Sequence, residues 1–187
     1  MRLNSRSILT VLALLAAACS DPNELLPAST SNFEDTLTIW ALTGTPVQSP
    51  SAYSVPEGAV RTDRTSGFEF AYEMVVVGND TSRYFLPQAV LPLPPNNSVN
   101  PGLQPRAQTF ESIIDAPSNG YITTDTLDVA VDGVYIVRSR IVCNIGVSLY
   151  SKLQILSFDD SARTVEFRVL ANTNCGYKRL TPGIPTK

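Results

Sequence analysis

Between Val134 and Cys175 the chain alternates apolar and polar residues in a way that leaves few options for its fold. In Lys152–Phe158, Leu153 and Ile155 alternate with Lys152 and Gln154; in Thr164–Ala171, Val165, Phe167 and Val169 alternate with Thr164, Glu166 and Arg168. Successive side chains of a strand point to opposite faces, so an apolar period of two marks a half-buried strand. Asp159-Asp160-Ser161-Ala162 supplies turn chemistry between these two runs. If Val134–Val142 runs up, Leu149–Phe158 down and Thr164–Ala171 up, then Cys143 and Cys175 lie at one end of a three-stranded meander. A bridge between them closes a loop of roughly 30 residues, which restricts the unfolded chain by about 3–4 kcal/mol in the chain-entropy account. The other uses of such cysteines, a reactive thiol or half a metal site, find neither a histidine nor a C-x-x-C spacing to support them.

The N-terminus reads as an address. Arg2 and Arg6 precede the apolar run Ile8–Ala18, broken only by Thr10. Eleven helical residues reach about 16 Å, roughly half of a hydrocarbon core, so a secretory signal over 1–18 is expected rather than a span. Ala16-Ala17-Ala18-Cys19 looks like a bacterial lipobox, with Cys19 as the acylated mature N-terminus. Plain signal-peptidase cleavage after Ala18 is the alternative. Ser20 rather than Asp follows, which favours the outer membrane or cell surface for such a lipoprotein. Three cysteines then divide into one for lipid and a pair for an oxidising compartment. Loss of Arg2 and Arg6 leaves 12 cations against 17 carboxylates, a net charge of −5. An acidic chain without a basic run offers nothing to a phosphate backbone, so nucleic acid is not expected as a partner.

After a polar tether over 19–35, one domain is expected over 36–175, with a tail over 176–187. Thr36–Leu42 alternates, and short extended pieces follow around Tyr53–Val55 and Ala59–Thr62. Phe68–Val77 has Phe68, Phe70, Tyr72, Met74 and Val76 on one face; Arg83–Leu91 returns after Gly78-Asn79-Asp80, with Pro87 placing it at a sheet edge. Five prolines in Pro92–Pro105 predict a long surface loop. Thr109–Ile114 fits a strand or a helical turn, Tyr121–Val131 is extended, and Asp132-Gly133 signals a two-residue hairpin. No long 3.6-residue period follows the signal. The fold class expected is all-β, an antiparallel sandwich ending in a disulfide-clasped three-stranded meander.

The chain has no histidine, which removes the usual general base, the Ser-His-Asp and Cys-His arrangements and the imidazole metal ligand. Two carboxylates are enough for glycoside hydrolysis, but Asp125, Asp128, Asp132, Asp159 and Asp160 all fall in or beside turns. Calcium among Asp125, Asp128 and Asp132 is a minor alternative whose spacing fits no known loop. The expectation is a non-catalytic protein with no metal site, whose partners are the membrane through its anchor and either a small apolar ligand or an envelope protein.

Phe68-Glu69-Phe70-Ala71-Tyr72, then Phe110 with Ala116-Pro117, Gly120-Tyr121 and Asp125, then Val134–Ser139, Tyr150–Phe158 and Val165–Leu170 follow one another in a familiar order. This series resembles the HmuY-like family of bacterial surface lipoproteins, which includes haem binders, and the resemblance covers about Phe68 to Ala171. It implies an all-β fold and haem as the possible cofactor, held in that family by histidine or methionine. Here the sole methionine after the initiator is Met74, which shares its strand face with Phe68, Phe70 and Tyr72 and reads as core filler first and iron ligand second. Tyr84 and Tyr150 are the tyrosine candidates for iron. Arg138 and Arg140, expected on one strand face, could meet ligand carboxylates, although a solvated strip is the simpler expectation. The alternative to ligand binding is a structural or protein-interaction lipoprotein of the envelope.

Overall fold

A computed structural model describes residues 25–93 and 100–186; the signal segment expected over 1–18, Cys19 and the chain up to Glu24 lie outside them. Among the described residues ten strands form two antiparallel five-stranded sheets. In chain order these are β1 (Glu34–Trp40), β2 (Ala52–Ser54), β3 (Gly58–Val60), β4 (Phe70–Val77), β5 (Asp80–Pro87), β6 (Gly102–Arg106), β7 (Leu127–Asp128), β8 (Val134–Ile141), β9 (Ser148–Asp159) and β10 (Thr164–Asn172). The first sheet runs β1-β10-β9-β8-β6 and the second β3-β2-β4-β5-β7. The all-β, sandwich-like architecture and the closing meander β8-β9-β10 are those expected. Among the described residues no helix is long and apolar enough to cross a membrane.

The alternating residues face each other between the sheets. Ile39, Leu153, Ile155, Val165, Phe167 and Val169 from the first sheet meet Tyr53, Phe70, Tyr72, Met74 and Phe85 from the second. The Phe70 ring lies 4.3 Å from Phe85, 5.4 Å from Tyr53 and 6.3 Å from Phe167, centroid to centroid. Offset and edge-on pairs at such distances add to simple area burial. At the far end of β9 an extra residue breaks the register between Glu166 and Phe167, which leaves Leu156 facing outward.

The outer face of the first sheet is also covered. Phe110, Ile113 and Ala116 of the loop after β6, with Leu180 of the C-terminal segment, pack on Val134, Ile136, Tyr150 and Leu170. Thr109–Ile114 is therefore neither strand nor helix but a turn whose apolar side chains form a lid on the sheet. It is held by Lys152, only 2 % exposed. Its Nζ donates to the carbonyls of Phe110 at 2.7 Å and Ile113 at 3.0 Å, and lies 4.4 Å from the centroid of the Phe110 ring. Burial holds this ammonium below the ordinary lysine range.

Several expectations are corrected. The loop placed over Pro92–Pro105 gives up its last residues to β6, which is possible because β6 is an edge. Leu103 N–H and C=O turn away from β8 to pair with Ile122, so Pro105, two residues on, lacks its donor on the open side. Gly102 fits there because a Cβ would lie 2.7 Å from the Ile122 carbonyl oxygen. Pro87 ends β5, which is not an edge strand: β7 pairs with it at Tyr84 and Phe85. Asp132-Gly133 joins β7 to β8, strands of different sheets, and is not a hairpin. The tether, expected to run to Asp35, is instead docked from residue 25 onward. Ser29 and Thr30 N–H donate to Asn174 Oδ1 at 2.9 and 3.0 Å, and Asn32 bridges to Gly183. The C-terminal tail is thereby part of the fold.

Cys143 and Cys175 are joined, with Cα atoms 5.9 Å apart and a sequence separation of 32. The double variant C143S/C175S should lose about 3–4 kcal/mol of unfolding free energy in a denaturant titration; a loss below about 1 kcal/mol would show that the bridge constrains nothing the strands do not already fix. K152M leaves two buried carbonyls without a donor and should cost about 2–3 kcal/mol in the same titration.

Candidate functional site

The two sheets do not close on each other at every edge. β1 ends the first sheet and β3 ends the second, and where the start of β1 and the end of β10 face the β2–β3 turn the sandwich carries a cleft of about 290 Å³. Its floor and walls are Tyr53, Leu37, Val55, Pro56, Val169 and Ala171, with Phe33 at the mouth. Leu37, Tyr53, Val169 and Ala171 are strand positions, and Val55 and Pro56 belong to the turn between β2 and β3. The turn from β2 to β3 keeps the opening: Gly58 sits at φ +78°, a left-handed conformation that suits glycine, with Leu37 as its nearest neighbour across the gap. Asp35 and Glu57 bring carboxylates to the border, and Thr30, Ser31 and Thr173 add hydroxyls.

A buried ion pair fixes the wall of the cleft. Glu69, fully buried before β4, accepts from the Val55 N–H at 2.6 Å through Oε2 and from Arg140 Nη1 at 2.7 Å through Oε1. Arg140 lies on β8, so the pair ties one sheet to the other. Glu57 approaches the same guanidinium at 3.7 Å. Burial pushes the Glu69 carboxyl up to about 7, against the pull of Arg140 and the Val55 N–H. Glu69 is therefore a positioning group for the cleft: what it holds is the backbone of a lining residue.

The five side chains singled out from the sequence do not converge. Met74 is 2 % exposed and belongs to the inter-sheet core. Tyr84 is half-buried on β5 opposite Asp128 of β7. Tyr150 is buried on the outer face of the first sheet, 6.4 Å from the Tyr121 ring, and burial raises its phenol above the ordinary range. Arg138 lies beside it in register, stacks 4.7 Å over Tyr121 and donates to the Asn100 carbonyl at 3.0 Å. Arg138 and Tyr150 are thus brought together, but away from the cleft. Arg138 and Arg140 do not form a solvated strip on one face. The register breaks between Arg138 and Ile141, and Arg140 turns to Glu69. The carboxylate that Arg140 meets is the chain's own.

Among the described residues, Tyr53 is the one cleft-lining side chain of the histidine, methionine, cysteine or tyrosine kind that ligates haem iron. Burial drives its phenol well above the ordinary range and so opposes the phenolate that iron would need. Among the described residues no three of His, Cys, Asp or Glu gather as a metal site, Asp125, Asp128 and Asp132 included. The cleft residues escaped the sequence reading because Leu37, Val55 and Val169 carry the same apolar signal as core residues; only the sheet order reveals that they border an opening. Comparison with known proteins gives no match, whether to a family model, a curated protein or a solved structure.

The raised Glu69 carboxyl has a pH signature. A carboxyl whose folded-state pKa lies above its unfolded value favours the folded state most when both forms are protonated, and that contribution is lost as pH rises through the folded value. Between about pH 4.5 and 7 the thermal midpoint of the wild type should therefore fall relative to that of E69Q, which cannot ionise. Parallel midpoints for the two proteins across this window would show that Glu69 is ionised throughout.

Proposed function

We propose that this chain is a lipid-anchored lipoprotein of the bacterial envelope that acts as a non-catalytic binding module, taking a small apolar group into the cleft between β1 and β3. The observation that carries the reading is the cleft itself. Its lining is mainly apolar, its size is near the lower end of the roughly 300–1,000 Å³ usual for ligand sites, and the turn that forms its wall is held at Val55 by a buried ion pair. The signal-like start, the lipobox at Cys19 and the disulfide-bearing domain support the envelope address. The carboxylates of Asp35 and Glu57 at the border favour a ligand that is neutral or carries hydrogen-bond donors over an anionic one.

The resemblance to HmuY-like proteins makes haem the specific version of this reading, and the side chains give it little support. Met74 is sealed in the core, and Tyr84 and Tyr150 lie outside the cleft. A second reading, a protein-interaction role, is favoured by one observation. β4 pairs with β2 only at Phe70 and Ala71, and beyond that pairing Val75, Val76 and Val77 are exposed at its end.

Fluorescence titration with the neutral probe N-phenyl-1-naphthylamine tests the cleft. A171F, which fills it from β10, should weaken binding about tenfold or more while leaving the far-ultraviolet spectrum unchanged. Equal affinity in wild type and A171F would remove the cleft from the account. Haemin at micromolar concentration should give no Soret shift; a shift lost in Y53F would restore the haem version and place it in this cleft.

A further inference from the structure

We infer that the end of the sandwich formed by Leu26, Val142 and Ile145 rests on the headgroup layer of the leaflet that carries the acyl chains, so that the domain sits on the membrane in one orientation rather than swinging from its anchor. This inference rests on the lipid-anchor reading of Cys19. Its first support is the length of chain that lies between the anchor and the fold. Only Ser20 to Glu24 separate Cys19 from Leu25. Six Cα steps of at most about 3.6 Å each reach roughly 20 Å, less than the thickness of a small domain.

The chain enters the fold at a definite place. Leu25 packs over Gly176, and Tyr177 Oη donates to the Leu26 carbonyl at 3.2 Å while accepting from the Ala28 N–H at 3.2 Å. The disulfide brings the Cys143 turn to the same spot. That turn, closed by Gly146 N–H on the Cys143 carbonyl at 2.9 Å, presents Ile145 at its tip, where turns ordinarily carry Gly, Asn, Asp or Ser. Ile145 is 52 % exposed and Leu26 is 74 % exposed, and Val142 beside them is exposed as well. Lys178 and Arg179 lie beside Leu25 around a shallow hollow that Asp115 also lines, with Arg179 paired to Asp115 at 3.5 Å. In a chain of net negative charge, Lys178 with the Arg179–Asp115 pair leaves this end with one cation in excess around the hollow, which reduces repulsion from anionic lipid. Short apolar side chains flanked by cations are what an interfacial contact uses, and a second point of attachment strengthens a lipid anchor.

The exposed apolar run Val75 to Val77 ends β4 near the far pole. β1 runs away from the anchored end, and Trp40 at its other terminus pairs with Thr164, which in turn faces Asp159 at the tip of the β9–β10 hairpin. Trp40, the single tryptophan, is thus a built-in reporter of the pole that should stay in water.

The full acylated chain is placed in vesicles of phosphatidylethanolamine and phosphatidylglycerol whose acyl chains carry bromine. In a W40F background, I145W and, separately, L26W should shift to the blue and be quenched about twofold or more, while Trp40 of the wild type is not quenched. If W40F melts, I145W in the wild-type background reads the same difference. Vesicle flotation without quenching at either reporter would overturn the contact while leaving the anchor intact. A chain that carries no acyl mass on Cys19 and does not float would overturn the anchor reading and the contact with it.

Discussion

The contact between Phe167 of β10 and the pair Phe70 and Phe85 of the second sheet is the one on which the rest of the fold depends. The three rings fill the centre of the sandwich, with Phe167 6.3 and 6.4 Å from the other two. Truncating a buried ring of this kind costs about 3–5 kcal/mol, a large share of the stability a domain of this size possesses. Once the rings fix the spacing of the sheets, Tyr53, packed 5.8 Å from Phe167, and Val169 border both that core and the cleft beside it. The cleft lies where the start of β1 and the end of β10 meet the β2–β3 turn, at the margin of that filled centre.

Around that centre the first sheet is closed on both faces, by aromatic residues inside and by the Phe110 lid outside. Phe110 is gripped by two cations, Lys152 at 4.4 Å and Arg168 at 4.2 Å from its centroid. Lys152 is buried without a carboxylate among its hydrogen-bond partners, satisfied by backbone carbonyls instead. Its strand position looks solvent-facing in sequence, because alternation places it opposite Leu153. The lid makes that face a second interior.

This is also where sequence reasoning stopped. Alternation told β8, β9 and β10 apart and paired Cys143 with Cys175, because both rest on the period of two and on strand length, which are local. It could not tell a solvated face from a covered one, since Thr109–Ile114 has no period of its own and becomes structure only by packing. Arg140 failed for a related reason. A break in register between Arg138 and Ile141 sends two residues of apparently equal orientation to different partners, and no residue type announces it. Glu69 looked like the polar side of a strand, yet it carries the ion pair that sets the cleft wall. The cleft was illegible because its lining is made of core residues, and the order of strands, not their composition, leaves them uncovered.

The account stands or falls on whether that gap holds a ligand. With methyl-labelled protein and N-phenyl-1-naphthylamine, intermolecular nuclear Overhauser contacts should run from the probe rings to the methyl groups of Leu37, Val55, Val169 and Ala171. Contacts to Val75, Val76 and Val77 instead, or none at saturating probe, would contradict it.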